Sequence, residues 1–352
     1  MSAGQEIVFI TSPLEDRHVA RIRAEAPEHV MIVHEPDLHP ATRYIADHKG
    51  VDGFVRTQEQ EQRWRDNLGR ATILWDFPAG EKGKGGGLDH APNVKWVQTT
   101  SSGVGQLVGK FGLADHPVTI TTARGIHAVP LAEFVMMALL MHTKRLLHLQ
   151  SEQKLHRWER YCGTDLRGRV MTIVGAGKVG AEVARLARSF GMRILSVVNK
   201  PAPERAAELH ADEVLGSDQL AYAIEQADCV TLCMPHTPVT ENMIDADMIG
   251  RMKKGVVFIN IARGAVVDEN ALIQALENGH IAFAALDVAR VEPLQTDSPL
   301  WDMSNVLISP HSASTVESEN ERIADIFVEN LKRYTSGRKG DMINVLDKQK
   351  MY

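Results

Sequence analysis

The sequence is short of several things, and each shortage excludes a class of protein. Cysteine occurs three times in 352 residues, as Cys162, Cys229 and Cys233. The number is odd and the spacing is that of neither a redox pair nor a zinc site, so reduced thiols in a cytoplasmic protein are expected. Charge of one sign is not in excess: the formal net charge is −6, which offers no broad basic surface for nucleic acid. Long apolar runs are missing as well. The longest, around residues 134–141, falls far short of the roughly 20 residues that cross a bilayer. The amino terminus has no basic start before its short apolar run, so a secretory signal is not expected. No internal repeat is present.

What is there belongs to an ordinary globular protein: 44% apolar and 24% charged residues over 352 positions, enough for two domains at roughly 100–200 residues each. Strand-like runs at 7–11, 30–34, 71–75 and 94–99 and a helical pattern at 15–25 fill the first third. Alternation of this kind indicates a parallel sheet covered on both faces. The glycine-rich, charged stretch 81–92 is expected to be a mobile surface loop, and 128–157 a helix. Strands are then expected at 166–174, 194–198, 229–234, 256–261, 282–287 and 306–309, and a last amphipathic helix at 317–334, followed by a polar tail.

The strand ending at Val174 runs into Gly175-Ala176-Gly177-Lys178-Val179-Gly180 and an amphipathic helix. A GxGxxG pattern carries little weight alone, but strand before and helix after is the context that dinucleotide binding requires. Gly175 permits the tight turn, Gly177 lets backbone approach a pyrophosphate, and Gly180 lets helix pack on strand. The helix start, with Lys178 and Val179, offers free N–H groups and a positive dipole end. The next strand ends at Val198, where an acid would hold the ribose 2′-hydroxyl of NAD. Valine cannot accept those hydrogen bonds. Asn199 and Lys200 follow, and an ammonium facing a 2′-phosphate favours NADP over NAD, with Arg205 as a second charge if its loop folds back. The other reading is that Lys200 is a solvated turn residue and NADH is used.

Three further strand ends carry charge: Arg263 after 256–261, Asp287 and then Glu292-Pro293 after 282–287, and His311 after 306–309. Ligands of open α/β sheets bind at those ends. Reduction of a 2-oxo acid needs a cation for the carboxylate and a proton donor for the carbonyl. Arg263 suits the first need, through bidentate hydrogen bonds. His311 suits the second, with Glu292 orienting and tuning it. One carbonyl, one hydride donor and one acid suffice, so no metal is expected. Singly, each residue is ambiguous: Arg263 could be a structural ion pair, His311 a loop residue and Glu292 a turn cap.

The stretches KWVQTTSSGVGQL, ARGIHAVPLAEF, IVGAGKVG, MPHTPVTENMI, FINIARGAVVDENAL, AALDVARVEPL and NVLISPHSAS together resemble the D-isomer-specific 2-hydroxyacid dehydrogenases, in the family's order. The resemblance implies two doubly wound, Rossmann-like α/β domains, with the nucleotide-binding domain (123–311) inserted into a flavodoxin-like substrate domain (1–122 and 312–352). It carries the catalytic set onto Arg263, Glu292 and His311, and places the substrate carboxylate against Ser102 and Gly103, with Arg263 and His311 also on the substrate. Asp287 is implied as the carboxamide contact. Pro235, Thr240, Ile261, Ala262, Arg263 and His311 are implied as other cofactor neighbours. A homodimer is implied, with the helix that starts near Leu131 between subunits. Glyoxylate or hydroxypyruvate is the substrate expected.

There are departures. Val198 replaces the usual acid, Gly105 the usual Asp after the GV of the substrate loop, and Ala289-Arg290 the usual aromatic and acidic pair. No regulatory domain is expected after the last helix, which disfavours a serine-pathway phosphoglycerate enzyme, and Glu292 in place of Gln disfavours a formate dehydrogenase. The substrate pocket is less legible, and Trp75, Asp76, Phe77 and Pro78 are candidates to line it. The alternative function is a cofactor-sensing, co-repressor-like binding protein, which the intact Arg263, Glu292 and His311 set disfavours.

Overall fold

Short β-branched runs that are buried on both faces need helices on both sides of a parallel sheet. The chain builds this arrangement twice. The structure, a computed structural model, describes residues 5–78 and 84–349. It divides into two units, Met1–Ile126 with Thr315–Tyr352, and His127–Ser314. The first boundary falls beyond the expected 122 because Ala123 and Ile126 pack into the first unit's core.

The first unit runs β1 (Glu6–Ile10), α1 (Asp16–Glu25), β2 (Val30–Val33), α2 (Gln58–Arg70), β3 (Ile73–Trp75), β4 (Trp96–Gln98), α3 (Gly105–Lys110) and β5 (Thr119–Thr121). A C-terminal helix, Glu319–Thr335, completes it. The strands are all parallel in the order β2-β1-β3-β4-β5, which is the flavodoxin-like order. One face is covered by α1 and the C-terminal helix, whose Phe327 meets Trp75 edge-on at 5.3 Å and stacks on Trp96 at 5.2 Å. The other face is covered by α2 and α3.

Several elements differ from expectation. Helix α2 buries only Trp64, Asn67 and Leu68, too thin an apolar stripe to show in the sequence. Its start is set by a capping box in which Thr57 and Gln60 bond each other's backbone N–H. The loop expected at 81–92 lies outside the described residues at 81–83, while Lys84–His90 forms a 3₁₀ helix and Leu88 and Ala91 are buried. The polar tail is not loose either. The Leu346 N–H donates to the Ile120 carbonyl at 2.8 Å, and Val345 bridges antiparallel to Thr121, so the tail covers the edge left open by β5.

The second unit runs α4 (Ala128–Thr143), α5 (Leu146–Lys154), β6 (Val170–Val174), α6 (Lys178–Ser189), β7 (Arg193–Val198), β8 (Glu213–Gly216), α7 (Leu220–Glu225), β9 (Cys229–Leu232), α8 (Ala246–Arg251), β10 (Val256–Asn260), α9 (Glu269–Glu277), β11 (Ile281–Leu286) and β12 (Val306–Ile308). Its sheet order, β12-β11-β10-β9-β6-β7-β8, is the doubly wound dinucleotide order with one strand added. Helices α4 and α6 cover one face, and α7 to α9 the other. The helix expected over 128–157 is broken after Thr143, where Arg145 takes a left-handed φ of 53°. Burial pushes the Cys229 thiol up to about 12, so it is an inert core thiol. Among the described residues no helix is long and apolar enough to cross a membrane.

One buried group makes the first unit sensitive to acid. His39 stacks on His34 and meets Trp64 edge-on, and burial lowers its pKa to about 4. The unfolded imidazole takes up a proton below about 6.5, whereas the folded one refuses it until about 4. Stability is therefore lost as pH falls through that window. Between pH 7 and pH 5 the loss from His39 should be about 2 kcal/mol. Urea unfolding followed by tryptophan fluorescence would show it as a fall in midpoint that is blunted in His39→Leu. An equal fall in both proteins would remove His39 as the cause.

Candidate active site

Because every strand of the second unit is parallel, all carboxyl ends lie along one edge of the sheet. The register places Val197, Val174, Leu232, Asn260, Leu286 and Ile308 opposite one another in turn. From this row the chain leaves into each segment singled out above: 175–180 after β6, Asn199 and Lys200 after β7, Pro235 to Thr240 after β9, Ile261 to Arg263 after β10, Asp287 to Glu292 after β11, and His311 after β12. Neighbouring strands lie about 4.8 Å apart, so the tips of β10, β11 and β12 fall within about 10 Å.

Asp287 organises two of these tips. Its carboxylate is buried, and Oδ1 accepts from the Ser309 hydroxyl at 2.7 Å and from the Ser312 and Ala313 N–H groups at 2.9 Å each. Its carbonyl accepts the His311 N–H at 2.8 Å, and its own N–H donates to the Asn260 carbonyl. Burial raises its pKa, against the Ser309 hydroxyl and the loop N–H groups, which favour the ionised form. His311 is thereby held in a left-handed conformation, φ 54°, a strained setting of the kind that marks functional loops. Its Nδ1 lies 2.8 Å from Glu292 Oε2, with both side chains open to solvent. Glu292 Oε1 accepts the Ala289 N–H at 3.3 Å.

Arg263 stands just past β10. Its guanidinium is largely removed from water, which lowers its pKa, while Glu292 and Asp287 counteract that loss by attraction. Arginine remains charged under such conditions. The buried Asn260 side chain ties the preceding turn, accepting from the Ala262 N–H at 3.0 Å and donating to the Arg263 carbonyl at 3.1 Å. Gly264 follows, and a Cβ there would lie 2.0 Å from the Ala289 carbonyl, so the turn after β10 packs backbone against backbone on the loop that carries Glu292. Sequence reasoning passed over Asn260, Gly264 and Ser309; an Asn at a strand end before IARG and a Ser before PH were the available signals. Arg290, noted as a departure, donates to the Asn242 side chain at 2.6 Å and the Val267 carbonyl at 3.2 Å, which ties the same loop.

The nucleotide turn has the shape a dinucleotide needs. Gly175 has φ 96° and passes so close to Met234 that a Cβ would lie 2.5 Å from its backbone nitrogen. A Cβ on Gly180 would lie 2.6 Å from the Gly175 carbonyl oxygen, whereas one on Gly177 would meet nothing within 4 Å. The cradle is thus closed on the protein side and open beside Gly177. Lys178 is exposed in the first turn of α6, which carries no acidic residue, and Val179 is half-buried. Val198 is half-buried at the β7 tip, and Asn199 and Lys200 are exposed beyond it. Arg205 pairs with Glu208 at 3.1 Å. Thr240 spends its hydroxyl on its own loop, donating to the Pro235 carbonyl at 2.8 Å and accepting the Thr237 N–H at 2.8 Å. Ile261 and Ala262 bury their side chains in the two cores, which leaves their backbone as the surface available to a ligand.

Ser102 and Gly103 belong to the first unit, in the loop after β4. There the Ser102 hydroxyl donates to the Ala123 carbonyl at 3.0 Å, and Gly103 is exposed. Among the described residues, no group of three or more His, Cys, Asp or Glu side chains could hold a metal ion.

Comparison with known proteins places these features. The sequence profile of the D-isomer specific 2-hydroxyacid dehydrogenase NAD binding domain matches residues 136–313. D-3-phosphoglycerate dehydrogenase of Mycobacterium leprae is 34% identical over 226 residues, 61% of this chain but only 42% of that enzyme's length. Glyoxylate reductase of Korarchaeum cryptofilum is 34% identical over 226 residues, 62% of this chain and 67% of that enzyme. Among solved structures, a D-isomer specific 2-hydroxyacid dehydrogenase from Xanthobacter autotrophicus Py2 in complex with NADPH and MES superposes with a TM-score of 0.75 at 28% identity, covering 99% of this chain and 100% of that one.

The contact at Gly264 yields a sharp expectation. Gly264→Ala must push the turn after β10, which carries Arg263, off the 289–290 backbone. Overpacking of this kind costs about 1–3 kcal/mol or more. Thermal unfolding should show a lowered midpoint; an unchanged midpoint would mean that the two loops do not pack as described.

Proposed function

The chain belongs to the D-isomer specific 2-hydroxyacid dehydrogenase family, and from that premise we propose that it reduces a small 2-oxo acid, glyoxylate or hydroxypyruvate, to the 2-hydroxy acid. The observation that carries this reading is the His311–Glu292 hydrogen bond of 2.8 Å, on the same sheet edge as the half-buried Arg263 cation. Arg263 binds the substrate carboxylate with its planar fork of donors. Glu292 accepts from His311 Nδ1, which fixes the ring and leaves Nε2 to hold a proton and deliver it to the carbonyl oxygen. Ser102 and Gly103 would add backbone N–H groups for the carboxylate. A bound nicotinamide supplies the hydride. Gly175, Gly177 and Gly180, with Lys178 and Val179, would hold the pyrophosphate; Asp287, the backbone of Ile261 and Ala262, and Pro235 and Thr240 would hold the nicotinamide end.

NADP is the cofactor we favour over NAD. Support comes from Val198 in place of an acid, the exposed Asn199 and Lys200, and a relative that was crystallised with NADPH. Arg205, engaged with Glu208, is not part of this proposal. Three free cysteines suit the cytoplasm, where we place the protein.

The test is the initial rate of cofactor oxidation with glyoxylate and hydroxypyruvate, using NADPH and NADH in turn. Turnover should favour NADPH. His311→Ala should slow it by about 10²–10⁴-fold, with cofactor affinity retained, and Lys200→Ala should raise the KM for NADPH but not for NADH. Cofactor binding without turnover of any 2-oxo acid would instead support the cofactor-sensing, co-repressor-like reading.

We also propose a homodimer. Helix α5 buries none of its residues. Leu146, Leu147, Leu149, Leu155 and Tyr161 are exposed around it, and Trp158 is wholly so. Apolar surface of this extent, continuing to Val129 and Met137 on α4, marks an interaction site. Light scattering should give twice the 38.9 kDa chain mass, and Leu155→Asp combined with Trp158→Asp should give the monomer. A monomeric wild type would refute the dimer.

A further inference from the structure

Asp76 lies at the carboxyl end of β3, in the first unit, and does three unusual things at once. It is a non-glycine residue with φ 69°. Its backbone is pinned there: its N–H donates to the Gln98 carbonyl at 2.6 Å, and its carbonyl accepts the Thr11 hydroxyl at 2.8 Å. Its carboxylate is turned onto the next strand tip, where Oδ2 accepts the Thr100 hydroxyl at 2.7 Å, while Oδ1 accepts the Phe77 N–H at 2.9 Å. Thr100 immediately precedes the loop of Ser101, Ser102 and Gly103. That loop is braced by Thr99, whose hydroxyl donates to the Ser101 carbonyl at 2.8 Å, and by the Ala123 N–H, which donates to the same carbonyl at 3.2 Å.

A carboxylate one hydrogen bond from an anion-binding loop works against anion binding. Neither of its structural tasks needs the charge. Asparagine tolerates a left-handed conformation at least as well, and its one carbonyl oxygen can keep either the Thr100 or the Phe77 hydrogen bond. What aspartate adds is the second acceptor and, with it, a negative charge that no cation pairs with among the described residues. The half-buried setting screens that charge less than open solvent would.

We propose that Asp76 is a specificity-determining residue, an electrostatic filter beside the 101–103 loop that restricts turnover to 2-oxo acids with a single negative charge. This rests on the reductase reading above and narrows its substrate class. A lone carboxylate has its charge met by the loop N–H groups. A second anionic group, a carboxylate or a phosphate, is left facing Asp76. Glyoxylate and hydroxypyruvate pass; oxaloacetate and 3-phosphohydroxypyruvate do not.

The experiment compares kcat/KM for hydroxypyruvate with that for oxaloacetate and for 3-phosphohydroxypyruvate, in the wild type and in Asp76→Asn, with Asp76→Gly as a second variant that suits the positive φ. The wild type should prefer hydroxypyruvate strongly. Both variants should lower that preference by about tenfold or more, mainly by raising kcat/KM on the dianions, as loss of one nearby charge predicts. A merely structural role would depress all substrates alike and leave the ratio unchanged; that result would overturn the filter while leaving the reductase intact. A wild type that reduces no 2-oxo acid would overturn the reductase reading, and the filter with it.

Discussion

The arrangement of the candidate site depends on one buried carboxylate. Asp287 sits where β11 ends, and a single oxygen of its side chain gathers three donors from the loop after β12. Its backbone carbonyl holds the His311 N–H, and its N–H reaches across to the Asn260 carbonyl. Removing a carboxylate from water is unfavourable, and burial does raise the pKa of this one. The donors directed at it are the compensation. They convert the loop after β12 from a flexible connection into a platform that holds His311 at a backbone conformation it would not choose.

Around that anchor, the parallel sheet supplies the geometry. Six strand tips stand in one register row, so residues 136 positions apart in the chain, Gly175 and His311, emerge on the same edge. Backbone contact does the fine placement. Gly264 lets the turn bearing Arg263 rest on the loop bearing Glu292, and Gly175 lets the nucleotide turn rest on the strand end at Met234. In the first unit Asp76 plays a comparable part, joining the tip of β3 to the loop after β4. There too a strained residue is held by hydrogen bonds from neighbouring strands.

Much of this was legible beforehand because it is local. GxGxxG between strand and helix needs only adjacent residues to be recognised, and the charged residues at strand ends follow from the end of each apolar run. The short strands β5 and β8, and helix α2 with its narrow apolar stripe, were not legible, since their stability comes from neighbours distant in the chain. The C-terminal tail looked polar, yet Met342 and Leu346 are buried. The short apolar cluster Met342, Ile343, Val345 and Leu346 is too brief to show a period until a sheet edge is there to receive it.

The sequence by itself determined the alternation of strands and helices, the nucleotide turn, and the identities of Arg263, Glu292 and His311, because each depends on residue type and short spacing. Only the tertiary structure decided that Glu292 meets His311 at 2.8 Å, that Asp287 holds the loop that bears His311, and that Asp76 turns its charge toward Thr100. Those relations join residues 19 to 25 positions apart. Such pairs meet only when parallel strands come into register, and register is a property of the packed sheet rather than of any one segment.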